Sequence, residues 1–175
     1  MLQENRRFRR TLLPLAWAVV LAGAPSRADA PGAAPVTPLT VCEVLRDLHV
    51  QTGKTVAVLG RYSYRETGGS WVSEDSCTPA VSGQPAGAAP ELWMTVDRDG
   101  PRLPDDYELD APDLHKKLIE MQRHTTLAKF RFGTPDYDRW AVIWGRIEPR
   151  KDNDPRKAAA ELLYRGEGVI YYITQ

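Results

Sequence analysis

The sequence predicts a mainly β protein: one small sheet coiled into a closed or partly open barrel, attended by two helices. Two stretches carry that prediction. Gly53-Lys54-Thr55-Val56-Ala57-Val58-Leu59-Gly60-Arg61-Tyr62 reads as a turn glycine, a β-branched run and a glycine inside the strand. Ala141-Val142-Ile143-Trp144-Gly145-Arg146-Ile147 repeats the pattern late in the chain. Aligned on Gly60 and Gly145, the copies place apolar residues in the same parity, and an arginine follows each glycine. Glycine inside a strand suits the sharp coiling of a barrel corner. The third observation is size, since 175 residues with 42% hydrophobic and 26% charged content suit one domain with one core.

The N-terminus is read apart from that domain. Arg6, Arg7, Arg9 and Arg10 precede the apolar run Thr11 to Gly23, and Ala28-Asp29-Ala30 follows as an A-x-A cleavage site. This is the pattern of a signal peptide over residues 1–30. The run is short for a membrane span and no second one follows, so the expected product is exported, periplasmic or secreted, and unanchored. The arginines fit a twin-arginine signal poorly, and Cys42 stands too far from the run, after Val41, for a lipoprotein. Residues 31–38 read as a flexible leader. Residues 1–30 hold five of the 23 basic side chains and two of the 23 acidic ones, which leaves 18 and 21, a net charge of −3. That balance lacks the basic footprint of a nucleic-acid partner.

Both cysteines, Cys42 and Cys77, lie beyond residue 30. In an oxidising compartment such a pair is most simply one disulfide. Closing a loop of that length stabilises by roughly 3–4 kcal/mol in the chain-entropy picture.

The elements follow in order over residues 39–175. Thr40-Val41-Cys42-Glu43 matches a capping box, and Val41, Val44, Leu45 and Leu48 recur at helical spacing, so a short helix is expected to about His49. Gly53 stops it. The first strand runs from Thr55 to about Tyr64, Gly68-Gly69 turns a hairpin, and Trp71-Val72-Ser73 returns as the second. Cys77 to Pro90 is a loop rich in Pro, Gly and Ala, and Leu92, Met94 and Val96 mark the third strand. Asp97 to Pro112 reads as an exposed acidic loop, and Leu114, Leu118 and Met121 mark one face of the second helix. Ala128, Phe130 and Phe132 alternate as an extra strand, followed by the long strand from Arg139 to Ile147. Glu148 to Pro155 is a charged loop, Ala158 to Tyr164 suits either a helical turn or a strand, and Gly168 to Thr174 reads as the final strand.

Three strands in a meander, a helix, then two more strands is the order of the OB-fold, a five-stranded, partly open Greek-key barrel. Gly53-Lys54-x-Val56-x-Val58-x-Gly60-Arg61 with Val142-x-Trp144-Gly145-Arg146-Ile147 resembles the small exported bacterial OB-fold proteins. It is similar, more distantly, to the anticodon-binding-like OB families. The resemblance spans roughly Leu39 to Ile173 and speaks to fold rather than function; the strand at Phe130 to Phe132 departs from it.

No catalytic constellation is visible. His115 and His124 are nine residues apart, not the three or four that places two ligands on one helix face. The pairs Asp97/Asp99, Asp105/Asp106 and Asp152/Asp154 lie in turn-rich loops; Asp97-x-Asp99-Gly100 resembles the start of a calcium loop, but six residues past that glycine, where the bidentate glutamate is expected, stands Asp106. No G-x-S-x-G elbow or phosphate loop occurs. Neither a metal nor a cofactor is expected.

The aromatics point instead to binding. With Leu92, Met94, Ala141, Ile143 and Ile147 inward, Trp93, Trp140 and Trp144 face outward, and Arg61 and Arg146 share that parity. In OB-folds the outer face of strands two and three binds oligonucleotides or oligosaccharides on aromatics. The expectation is a monomeric, non-catalytic envelope module using Arg61, Trp93, Trp140, Trp144 and Arg146, for a peptide, glycan or protein. Against it stand helices and long loops that cover the tryptophans as ordinary core. Two other functions fit the sequence: a hydrolase or metal-dependent enzyme using loop acids with His115 or His124, and a structural or stress-related envelope protein.

Overall fold

The structure, a computed structural model, describes residues 34–81, 89–124, 137–150, 160–166 and 169–173. A short strand β1 (Leu39–Thr40) leads into helices α1 (Val41–Arg46) and α2 (Leu48–Gln51). Strands β2 (Thr55–Arg65), β3 (Gly69–Ser73) and β4 (Glu91–Val96) form a meander, and helix α3 (Ala111–His124) follows. The chain ends with β5 (Tyr137–Pro149), β6 (Ala160–Tyr164) and β7 (Ile170–Tyr172). Pairing runs β2-β3-β4-β6-β5 and returns from β5 to β2, which closes a five-stranded OB-like barrel. Only β4 and β6 pair in parallel within that ring. β1 is added parallel to β2, and β7 antiparallel to β5. The barrel is closed rather than partly open, because β2 and β5 stay in register from Thr55 opposite Arg146 to Tyr64 opposite Tyr137.

The inner cluster is built from alternate strand residues. Val58, Val72, Leu92, Met94, Ile143, Ile147 and Leu162 meet inside, and α1 adds Val41, Val44 and Leu45 from one end. The two strand glycines belong here for their lack of a side chain, not for unusual dihedrals, since neither has a positive φ. A Cβ at Gly60 would stand 2.5 Å from Val72 Cγ2 and 3.0 Å from Val41 Cγ2. One at Gly145 would stand 2.7 Å from the Leu163 carbonyl oxygen and 2.8 Å from Leu162 Cδ1. A second cluster lies outside the barrel, where Ala57, Leu59 and Val142 meet Met121 of α3, with Val36, Leu109 and Leu114 packed on them. β2 and β5 are thus apolar on both faces, which accounts for their near-continuous runs.

Local signals seat the helices. Thr40 Oγ1 accepts from the Glu43 N–H at 3.2 Å and the Thr40 N–H donates to Glu43 Oε2 at 2.7 Å, completing the capping box. The first helix breaks at Asp47 into α1 and α2. Cys42 and Cys77 form the expected disulfide, 35 residues apart. Beside it the Glu74 carboxylate accepts from the Cys42 N–H, near the start of α1. Lys117 Nζ binds Glu43 Oε2 and the Pro38 carbonyl, each at 2.8 Å, and so ties α3 to the start of the domain.

Several expectations are corrected. The closing strand of the barrel is β6 (Ala160–Tyr164), whose inward Ala160, Leu162 and Tyr164 are buried, so the helical alternative for that stretch falls away. Among the described residues the strand expected at Gly168 to Thr174 forms at Ile170–Tyr172, and it lies on β5 as an addition to the ring. Asp97 to Pro112 is not a simple solvated loop. Asp110 N and Val36 N exchange backbone hydrogen bonds with Val36 O and Glu108 O, and Leu109 packs on the outer cluster. Those bonds also fix the end of the segment expected as a leader, where Pro38 is fully buried. The signal peptide, the strand at Phe130 to Phe132 and the pair Asp152/Asp154 lie outside the described residues. Among the described residues no helix is long and apolar enough to cross a membrane.

Candidate functional site

The site is a face of the sheet, and register defines it. Trp71 of β3 stands opposite Trp93 of β4 and Ser63 of β2. Trp93 stands opposite Glu161 of β6, which stands opposite Glu148 of β5. Their neighbours Val72, Leu92, Met94 and Leu162 point into the barrel, so this row points out. A second row on the same face aligns Arg61, Ser73 and Glu91.

The two indoles stack, with ring centres 6.5 Å apart and planes 16° from parallel. The Arg65 guanidinium lies 5.9 Å from the Trp71 ring centre, and the Arg150 guanidinium 5.0 Å from that of Trp93. Gly69 seats the pair. Its φ of +78° turns the hairpin, and a Cβ there would stand 2.8 Å from Trp93 Cζ2, so the indole lies against a bare backbone. Carboxylates border the rings. Burial pushes the Glu91 carboxyl above its ordinary pKa, and the charge of Arg150 opposes that shift. Thr95 Oγ1 donates to Glu161 Oε2 at 3.0 Å, and Arg146 Nε donates to Glu148 Oε1 at 2.8 Å.

The five residues expected to share one patch are divided. Trp93 is on the face just described, and Arg61 lies one row away with Asp75 at 4.0 Å. Trp140 and Trp144 do point outward, but on β5 they pack against the outer cluster beneath α3 and residues 97–110. Trp144 Nε1 donates to the Arg102 carbonyl at 3.0 Å, and the Tyr107 ring meets its edge with centres 5.2 Å apart. Burial pushes the Tyr107 phenol to about 12. Arg146 sits between the two regions, 3.6 Å from Asp97 as well as bound to Glu148. Trp71, Arg65 and Arg150 are members that the sequence reading did not select. The available signal for Trp71 was its place two residues past the hairpin glycine, in the outward parity of a short strand.

Among the described residues the groups weighed for catalysis do not converge. Asp97 is a turn residue, its Oδ1 accepting from the Asp99 N–H at 3.0 Å and its carbonyl from Gly100. Asp105, Asp106, His49 and His115 are exposed. Among the described residues no three His, Cys, Asp or Glu side chains gather as a metal-ligand group.

Fold and face together define an OB-like barrel with a stacked tryptophan pair on its second and third barrel strands. No family model, no curated protein and no solved structure matches the chain.

Proposed function

We propose that this chain is an exported, non-catalytic binding module of the cell envelope that holds its ligand on the outer face of β3 and β4. The observation that carries the reading is the registered pair Trp71 and Trp93, stacked on the barrel face with a guanidinium group over each ring. Among the described residues neither indole belongs to an apolar core cluster. Stacking on an aromatic platform contributes about 1–3 kcal/mol per ring in single-stranded nucleic-acid complexes, and the same contact area is open to a peptide or a sugar. The near-neutral charge of the chain disfavours nucleic acid. The Cys42–Cys77 disulfide supports export, since such bonds persist in oxidising compartments.

The test is a binding screen of peptides and glycans against the purified chain and its Trp71→Ala and Trp93→Ala variants. A ligand whose affinity drops about tenfold in either variant supports the reading, that loss being about 1.4 kcal/mol. A ligand bound equally by all three chains, or cleaved by them, overturns it. Export is tested separately by sequencing the N-terminus of the secreted product, with Pro31 expected first.

A further inference from the structure

Arg65 differs from the other arginines of the face. Arg61 lies 4.0 Å from Asp75, Arg146 binds Glu148 and Asp97, and the charge of Arg150 acts on Glu91. Arg65 is exposed, and among the described residues the group that its guanidinium meets is the Trp71 ring, at 5.9 Å. No described acid is paired with it.

The hairpin fixes this side chain. Arg65 is the last residue of β2 and stands opposite Gly69. A Cβ at Gly68 would stand 3.1 Å from Arg65 Cβ and 3.4 Å from its Cδ, so the arginine stem runs against bare backbone. Each hairpin glycine thus makes room for one side chain, Gly68 for Arg65 and Gly69 for the Trp93 indole. A guanidinium held over a ring by its charge keeps its N–H donors for a second partner, and their planar fork matches a carboxylate.

Charge on the face is sided. Strand order puts Arg61 and Arg65 on the β2 side of the tryptophan pair, and Glu161 and Glu148 on the β6–β5 side. Those two carboxylates are already bonded, to Thr95 and Arg146. An incoming acid therefore meets an uncompensated cation at Arg65, whereas an incoming base meets acids that have partners. A sugar recognised by stacking competes with the guanidinium groups for the ring faces. An acidic side chain uses the Arg65 donors with both ring contacts in place.

Resting on the binding-face reading above, we propose that Arg65, held over Trp71, is the acid-recognising residue of the face, and that its partner is a polypeptide segment carrying Asp or Glu side chains. The ring and the glycine restrict the arginine before binding, so less side-chain freedom is lost when the carboxylate arrives.

The experiment follows the Trp71 indole N–H resonance, assigned by its disappearance in Trp71→Phe, as the full chain and its Arg65→Gln, Arg65→Lys and Lys116→Gln variants are titrated. Lys116 is an exposed cation of α3 and serves as the control for charge alone. The probes are capped decamers of Glu-Gly, Gln-Gly and Arg-Gly repeats and an oligogalacturonate of the same charge as the Glu-Gly peptide. The Glu-Gly peptide is expected to bind most tightly, to lose about fivefold in Arg65→Gln, the upper end for an exposed ion pair, to lose less in Arg65→Lys, and to be unaffected by Lys116→Gln. Undiminished binding in Arg65→Gln, or an equal loss in Lys116→Gln, overturns the role of Arg65. Tighter binding of the Gln-Gly or Arg-Gly peptide, lost in Trp71→Ala, overturns the acid subsite while the binding face stands. Tighter binding of the oligogalacturonate overturns the polypeptide partner. Binding of none of the four overturns the acid subsite, and the face is then judged by the screen above.

Discussion

The barrel carries two outward tryptophan pairs, and they are treated in opposite ways. Trp140 and Trp144 on β5 join an outer apolar cluster with Leu59, Val142 and Met121, and Trp144 is pinned by Tyr107 and the Arg102 carbonyl. Trp71 and Trp93 on β3 and β4 have each other, a bare glycine and two arginines. The difference lies in what the chain places above each pair. α3 and the segment fixed to Val36 cover the β2–β5 side, so those indoles stabilise the fold. On the β3–β4 side the described contacts are instead the two arginines over the rings, although all four indoles are half-buried.

The largest expected effect comes from the staple beside the β3–β4 side. Reducing the Cys42–Cys77 bond, or Cys42→Ser, is expected to lower unfolding free energy by about 3–4 kcal/mol, measured by denaturant titration. If the two sides are independent, the Trp144 indole resonance keeps its position in the reduced, still folded chain.

Next comes the direct contrast. Trp144→Ala is expected to cost about 2–3 kcal/mol, from packing lost against the outer cluster and Tyr107, whereas Trp93→Ala costs under about 1 kcal/mol. Equal costs in denaturant titrations would break the comparison.

Gly69→Ala sharpens it from the other side. Its φ of +78° and the 2.8 Å approach to Trp93 predict a loss of about 1–2 kcal/mol together with a changed near-ultraviolet circular dichroism of the Trp71–Trp93 pair. The Trp144 indole resonance should not move.

These contrasts also show how far the sequence could be read. The capping box at Thr40 and Glu43, the disulfide, the hairpin at Gly69 and the meander with its following helix are local or pairwise signals, and they were legible. The closing strand was not. Ala160-Glu161-Leu162-Leu163-Tyr164 serves helix and strand templates equally well, and only pairing to β4 and β5 decides it. Outward parity at Trp93, Trp140 and Trp144 was legible too, but parity cannot tell what covers a residue. That depends on Val36 meeting Leu109 across 73 positions of sequence, a contact with no local signature. Arg150 escaped notice because it follows a strand-ending proline, where no periodicity assigns a face.

The smallest expected effects are in pH dependence, and they also separate the sides. Burial raises the Glu74 and Glu91 carboxyls above their ordinary 4.5, so the folded chain favours their protonated forms. The stability they contribute is fully present below 4.5 and is lost as pH rises through their raised folded values. Mild acidification from neutrality should therefore stabilise the chain, and Glu74→Gln or Glu91→Gln should flatten that trend in thermal melts. On the covered side Tyr107 holds its proton from its ordinary 10.0 up to about 12. Stability is then lost as pH rises through that window, and Tyr107→Phe should remove the loss.

The most direct measurement is acrylamide quenching of tryptophan fluorescence in a chain carrying Trp17→Phe, with Trp71, Trp93, Trp140 and Trp144 each replaced in turn by Phe. The readily quenched fraction is expected to fall with Trp71→Phe and with Trp93→Phe, to vanish when both are replaced, and to persist with Trp140→Phe and Trp144→Phe. The reverse pattern would contradict the account, since it would place the accessible aromatic surface on β5 and leave β3 and β4 without a binding face.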